Sequence, residues 1–151
     1  MDIVIGIGND LRGDDGIGPR VVDAIRARVD LETMTVQQLV PELAEKIQHA
    51  RRVLFVDASL ACDEPCLAQL EASDHRGLGH ACSPAALLAW TKLAYERQPE
   101  SWLLSVPGTT FELGEGLSPQ AAAHLPKALE QVESWLIQCL KPVPMISEEE
   151  A

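Results

Sequence analysis

Short apolar runs alternate with segments of helical periodicity along most of this chain. The apolar runs predict five strands, over about residues 2–7, 32–39, 53–56, 67–71 and 102–106. Apolar residues at helical spacing predict helices between them and after the last strand, over about residues 15–29, 41–49, 83–97 and 118–140. The last two helices begin at Ser-Pro pairs, in which serine is the N-cap and proline occupies the first turn.

Strands that alternate with helices are typical of βαβ units and a largely parallel sheet. We therefore expect an α/β fold, a three-layer sandwich with an about five-stranded, mostly parallel twisted sheet and helices on both faces. The weak run at residues 67–71 is expected at an edge, where it can be antiparallel. Residues 1–141 are predicted to form a single domain, and residues 142–151 an acidic, flexible tail.

Composition narrows the range of partners. The 151 residues are 46% hydrophobic and carry a formal net charge of −11, so the chain is expected to be globular and to repel DNA and RNA. No segment approaches the length of a membrane span, and no signal peptide is visible. We expect a cytoplasmic protein that does not bind membranes, in which the four cysteines are thiols.

The most informative segment is residues 3–18, IVIGIGNDLRGDDGIG. An apolar strand ends in Gly6-Ile7-Gly8-Asn9, and a short glycine-rich loop then carries the adjacent carboxylates Asp14 and Asp15. The acids thus lie beyond the carboxyl end of a strand and near a helix N-terminus. In open α/β sheets this is the edge at which ligands bind, and carboxylates there suit a metal ion.

Three familiar loops do not fit this segment. The glycine spacing and the absence of an acid after the second strand exclude a dinucleotide fingerprint, and no Gly-Lys-Ser/Thr marks a phosphate-binding loop. Arg12 falls on a ligand position of an EF-hand, and no glutamate closes such a loop. The plain alternative is a strand-to-helix turn with acidic capping.

Three side chains can converge on the same edge of the sheet. Asp15 follows the first strand, Asp57 ends the third, and His80 lies in the loop before the third long helix. Two carboxylates and an imidazole suit a divalent first-row metal with open positions. The alternatives are that Asp57 forms a turn and that His80 is an ordinary surface histidine.

The cysteines offer a competing zinc site. Cys62, Cys66, Cys82 and His80 could hold a structural zinc ion, but their spacing is looser than that of the usual zinc motifs. Isolated thiols are the simpler interpretation. The remaining large side chains are interpreted as packing residues, namely Trp90, Trp102 and Trp135.

Through these motifs and their order, the chain resembles the NiFe-hydrogenase maturation endopeptidases over nearly its whole length. Gly6–Asn9 and Asp14–Gly18 are similar to the opening signature of that family, and Val53–Ala58 is similar to its central strand. His80 stands where the family has its third metal-contacting residue. Gly114–Ser118 resembles a late Gly-x-Gly-Leu-Ser/Thr stretch.

The resemblance implies a cytoplasmic protease that removes the C-terminal extension of a hydrogenase large-subunit precursor after nickel insertion. Asp15, Asp57 and His80 would be its catalytic and nickel-contacting residues, and the nickel would be supplied by the substrate. Some family members carry Glu in place of Asp15, and many have Asp-Gly-Gly-Thr where this chain has the stretch around residues 37–42.

The residues themselves leave the mechanism open, because the sequence indicates no Ser–His–Asp or Cys–His nucleophilic site and contains no His-Glu-x-x-His motif. A carboxylate could activate water, or the metal could serve recognition alone. Two other functions stay open, a non-catalytic nickel-sensing hydrogenase chaperone and a small α/β ligand-binding domain. The oligomeric state is also left open.

Overall fold

A computed structural model describes residues 1–28, 30–72, 82–114 and 116–138. Within these residues the strands are β1 (Asp2–Ile7), β2 (Leu31–Val36), β3 (Arg52–Ser59), β4 (Cys66–Leu70) and β5 (Glu100–Pro107). The α-helices are α1 (Ile17–Ile25), α2 (Leu43–Ile47), α3 (Pro84–Tyr95) and α4 (Pro119–Gln138). The strands and helices follow one another in the predicted order.

All five strands form one sheet in the order β2-β1-β3-β5-β4. The pairs β1–β2, β1–β3 and β3–β5 are parallel, and β4 pairs with β5 in the antiparallel direction. The prediction of an α/β fold with a mostly parallel sheet and an antiparallel edge strand is therefore confirmed. Since β1, β2, β3 and β5 run in one direction, their carboxyl ends share one edge, which we call the carboxyl edge.

Two apolar layers bury the two faces of the sheet. Helices α1 and α4 cover one face, where Val21 and Trp135 pack against Leu54. Helices α2 and α3 cover the other, where Leu87 packs in a cluster that includes Phe55. Alternate residues of β3 thus face opposite layers, as expected for a strand buried on both sides.

The first helix differs from its predicted bounds of 15–29. Residues Gly13–Gly16 form a short 3-10 helix, and α1 begins only at Ile17. Gly13 has a φ of +58°, and the amide of Asp15 donates a hydrogen bond to the carbonyl of Arg12. The acidic loop is therefore a tight turn with its own hydrogen bonds, distinct from the α-helix that follows.

Two other expectations need correction or stay open. Trp90 is 49% exposed, because α3 turns Leu87, Leu88 and Thr91 toward the interior, so the interpretation of Trp90 as a packing residue was wrong. The acidic tail at 142–151 lies outside the described residues. None of the described helices is both long and apolar enough to cross a membrane.

Candidate functional site

Close packing of α1 on the sheet fixes the position of the acidic loop. A Cβ atom at Gly18 would come within 2.7 Å of the Val56 carbonyl oxygen, and one at Gly6 within 2.5 Å of the Gly18 carbonyl oxygen. The start of α1 therefore lies directly against β1 and β3. Gly8, with a φ of +143°, lets the chain leave β1 where any Cβ would overlap the Asp15 carbonyl oxygen.

Asp14 is a fully buried carboxylate that holds two distant loops together. Its oxygens accept hydrogen bonds from the backbone amides of Thr109 at 2.7 Å, Thr110 at 3.0 Å and Ser118 at 2.6 Å. The Ser118 hydroxyl donates a further bond at 2.8 Å. Burial alone would raise the pKa of Asp14, but these bonds outweigh it and lower the pKa to about 2. Asp14 is thus an ionised structural anchor.

Asp15, the neighbouring acid, points elsewhere and stays half-buried. Its Oδ2 accepts a hydrogen bond of 2.8 Å from the Asn9 amide, and the Asn9 side chain in turn accepts one from the Leu11 amide at 2.9 Å. This turn chemistry holds the Asp15 carboxylate beside the end of β1. The two adjacent aspartates therefore differ in position: Asp14 is fully buried, whereas Asp15 is partly open to solvent.

Asp57 lies near the carboxyl end of β3 and is half-buried. Burial raises its pKa to about 6, a hydrogen bond from the Ala58 amide opposes the rise, and the negative charge of Asp15 adds to it. The two carboxylates thus interact electrostatically across the ends of β1 and β3. Asp57 shares the strand phase of Phe55, so it belongs to the sheet face covered by α2 and α3.

His80, the third predicted site residue, lies outside the described residues, so its meeting with Asp15 and Asp57 stays a prediction. The sequence places it four residues before Pro84, the first residue of α3. Helix α3 covers the sheet face to which Asp57 belongs. Among the described residues, no three His, Cys, Asp or Glu side chains are grouped closely enough to hold a metal ion.

That finding also bears on the alternative zinc site. Cys62, Cys66 and Cys82 are all described, all are free thiols, and they form no metal-binding group with other described residues. Burial raises the pKa of the Cys82 thiol, which disfavours the thiolate that zinc requires. His80, the fourth member of that alternative site, lies outside the described residues, so the interpretation of the cysteines as isolated thiols stays a prediction.

Sequence reasoning missed the partner of the acidic loop. The loop at residues 108–118 supplies every hydrogen bond described for the Asp14 carboxylate, and Gly114 pairs with Arg12 in a short parallel bridge. A Cβ at Gly108 would come within 3.0 Å of the Asp14 Cβ. The threonine pair and Ser118 are a signal for this contact, but nothing in the local pattern joins them to a carboxylate about 95 residues earlier.

No family model matches the chain, and no curated protein sequence matches it significantly. Solved structures with the same fold do match. The hydrogenase maturating endopeptidase HybD from E. coli superposes with a TM-score of 0.73 at 24% identity, over 91% of this chain and 93% of that one. The solution structure of an endopeptidase from Escherichia coli superposes with a TM-score of 0.72 at 24% identity, over 92% of this chain and 94% of that one.

A third similar structure comes from an archaeon. The NiFe hydrogenase maturation protease HycI from Thermococcus kodakarensis KOD1 gives a TM-score of 0.68 at 19% identity, over 87% of this chain and 88% of that one. All three likenesses extend over nearly the full length of both chains. At these identities they establish that the chain has this fold.

Proposed function

We propose that this protein is an endopeptidase that removes the C-terminal extension of a NiFe-hydrogenase large-subunit precursor after nickel insertion. The observation that carries the proposal is the pair of carboxylates, Asp15 and Asp57, at the carboxyl edge of a fold shared with hydrogenase maturation proteases. This edge is where open α/β sheets bind their ligands. We also propose that the reaction takes place in the cytoplasm, a compartment in which thiols such as those of the described cysteines stay reduced.

Nickel enters this proposal as cargo of the substrate. Two carboxylates offer oxygen ligands at the ends of neighbouring strands, and His80 would add a nitrogen ligand that favours nickel over harder ions. Such a site binds a free ion weakly, but it gains affinity when the precursor presents a nickel ion on ligands of its own. A precursor without nickel would be left uncut.

The chemical state of Asp57 suits this role. With a pKa of about 6, Asp57 exchanges a proton close to neutral pH, whereas Asp14 stays ionised. Asp57 can thus bind a metal ion as a carboxylate or hold a proton near the scissile bond. The half-buried position of both Asp15 and Asp57 leaves them accessible to a docked polypeptide.

The test is incubation of the purified full chain with nickel-loaded and nickel-free large-subunit precursor, followed by mass spectrometry of the precursor. We expect loss of a C-terminal fragment from the nickel-loaded form alone. Asp57→Asn and Asp15→Asn should abolish the cleavage. Glu100→Gln, an exposed acid at the opposite end of β5, is the matched control and should cleave at the wild-type rate.

The other functions correspond to distinct outcomes of this experiment. Binding of nickel-loaded precursor without cleavage would replace the proposal with a nickel-sensing chaperone. If the precursor is neither bound nor cleaved, the remaining candidate is a small α/β ligand-binding domain. Equal cleavage of both precursor forms would keep the peptidase but contradict the role of nickel.

A further inference from the structure

Each of the four loops at the carboxyl edge exposes one large aliphatic side chain. They are Leu11 after β1, Val40 after β2, Leu60 after β3 and Leu113 after β5. Leu60 is 76% exposed and Leu113 is 82% exposed, so both stand nearly free in solvent. A single exposed leucine is unremarkable, but one on each of four loops along one edge of a sheet is a shared feature. We call these four residues the aliphatic rim.

Two of the four loops that carry the rim, those after β1 and β5, are bonded to each other. The Gly114 amide donates a hydrogen bond of 2.9 Å to the Leu11 carbonyl, and the Gly13 amide donates one of 2.9 Å to the Gly114 carbonyl. These bonds place the backbone of Leu11 beside that of Leu113. Buried Asp14 ties the same two loops together from below. Leu11 and Leu113, half of the rim, are therefore presented by a braced backbone, which lowers the entropy that binding would cost.

The charges of these loops have one predominant sign. Exposed acids lie on all four loops, and they are Asp10, Glu42, Asp63 and Glu112. Glu64 is offset by an ion pair with Lys127. Among the described residues of the four loops, Arg12 is the one basic side chain. A partner that covers the rim must therefore tolerate an acidic field, and basic side chains would be attracted by it.

We propose that the aliphatic rim is a docking surface for a polypeptide whose surface presents apolar side chains flanked by basic residues. This inference rests on the proposed function, so the occupant is the large-subunit precursor. Apolar contacts with the rim would supply affinity, and the acids would guide the encounter. The half-buried pair Asp15 and Asp57 lies at the ends of the strands that the rim surrounds, so docking there would deliver a chain segment to the carboxylates.

The test measures processing of nickel-loaded precursor as a function of its concentration. Leu60→Ser and Leu113→Ser should each raise KM about threefold and together about tenfold, with kcat unchanged, because truncated interface anchors weaken binding by such factors. Leu93→Ser, an equally exposed leucine on α3 at 74%, is the matched control and should leave KM unchanged. Equal effects of Leu93→Ser, or no effect of the two rim variants, would overturn the proposal.

Charge is tested separately. Glu112→Gln should raise KM and reduce its dependence on ionic strength, whereas Glu100→Gln, at the other end of β5, should change neither. An equal effect of both variants, or none from Glu112→Gln, would contradict the acidic guidance. All variants are checked for an unchanged melting temperature.

If the chain does not cleave the precursor at all, equilibrium binding of the same variants to the same precursor still tests the rim. Binding weakened by the two rim variants and not by Leu93→Ser would support the docking surface although the proposed peptidase activity had failed. Cleavage at the wild-type KM by the rim variants would support the peptidase activity and contradict the docking surface.

Discussion

The Asp14 carboxylate accepts a hydrogen bond of 2.6 Å from the backbone amide of Ser118, which lies 104 residues later in the chain. With the bonds from Thr109 and Thr110, this contact fastens the loop at 108–118 onto the acidic loop. The two loops carry half of the aliphatic rim and the Asp15 carboxylate. The shape of the carboxyl edge therefore depends on a residue that does not itself reach the surface.

We expect Asp14→Asn to lower the free energy of unfolding by about 2 kcal/mol at neutral pH, because a neutral amide replaces a buried carboxylate that accepts charge-assisted bonds. Since the pKa of Asp14 is lowered from 3.8 to about 2, its stabilisation is present above pH 3.8 and is lost as pH falls toward 2. The measurement is urea unfolding of both proteins between neutral pH and about pH 2.

The control for this prediction is Thr109→Val, which removes the 3.3 Å bond from the Thr109 hydroxyl to Asp14 and keeps the 2.7 Å bond from the Thr109 amide. It should cost about 1 kcal/mol or less. A deficit in Asp14→Asn that stayed constant down to the lowest pH would show that the carboxylate charge is not the source of the stability.

Asp57→Asn should have the opposite effect on stability while it abolishes processing. Since the pKa of Asp57 is raised to about 6, ionising it costs the folded state stability that is fully present below about pH 4 and lost as pH rises through 6. We expect the variant to be more stable than wild type at pH 7.5 by on the order of 1–2 kcal/mol, after screening by solvent, and equal to it near pH 4.

Thermal unfolding followed by circular dichroism at both pH values checks this second prediction, alongside the processing assay. A variant that is more stable than wild type but inactive would agree with a site residue whose ionised carboxylate is disfavoured by burial. A variant destabilised at pH 7.5 would contradict the raised pKa, and a fully active one would remove Asp57 from the site.

The sequence predicts the sheet and its order of elements well, because strands such as β1 and β3 are buried on both faces and read as continuous apolar runs. It also predicts that Asp15 and Asp57 lie at one edge, since parallel strands end together. It does not separate Asp14 from Asp15. That difference is created by partners about 95 to 104 residues away, which no local pattern contains.

The exposure of side chains is the other feature that sequence could not supply. Trp90 and Leu93 lie on an apolar helix whose buried side is Leu87, Leu88 and Thr91, and the periodicity of such a helix does not say which side meets the sheet. The aliphatic rim escaped notice for a related reason. Its members are single leucines and a valine in loops, and no local pattern says that these side chains are exposed.

Arg52 should be essential for stability and not for processing. It is buried at the start of β3, where its guanidinium donates a hydrogen bond of 2.8 Å to the Trp135 carbonyl. The same group forms an ion pair with Asp2 at 3.3 Å and stacks on the Trp135 ring, 3.9 Å from the ring centroid. Arg52→Ala leaves the Asp2 carboxylate buried with less compensation. We expect a loss of about 3 kcal/mol in the free energy of unfolding.

The matched control is Arg51→Ala, because Arg51 pairs with the same carboxylate from an exposed position. It should cost about 1 kcal/mol or less. Urea unfolding compares the two variants. A larger loss from Arg51→Ala would contradict this assignment, as would loss of processing by Arg52→Ala at a temperature where it is still folded.

The cysteines should be dispensable. Cys62, Cys66 and Cys82 are separate free thiols, so a triple Cys→Ser variant should process the precursor at about the wild-type rate, and the purified wild type should contain no stoichiometric zinc. Metal analysis of the purified wild type and the processing assay on the triple variant test this prediction. Zinc bound one to one in the wild type, and lost together with activity in the variant, would favour the structural zinc site.

His80 should supply the preference for nickel. Its imidazole is a good nickel ligand, whereas Asp15 and Asp57 alone would favour harder ions. His80→Ala should therefore lose most of the discrimination between nickel-loaded and nickel-free precursor while its melting temperature stays near that of wild type. His49→Ala, an exposed histidine after α2, is the matched control and should keep the discrimination. Binding of both precursor forms to each protein makes the comparison. Unchanged discrimination in His80→Ala would reduce His80 to a surface residue, and the metal-sensing role would pass to His75 or be abandoned.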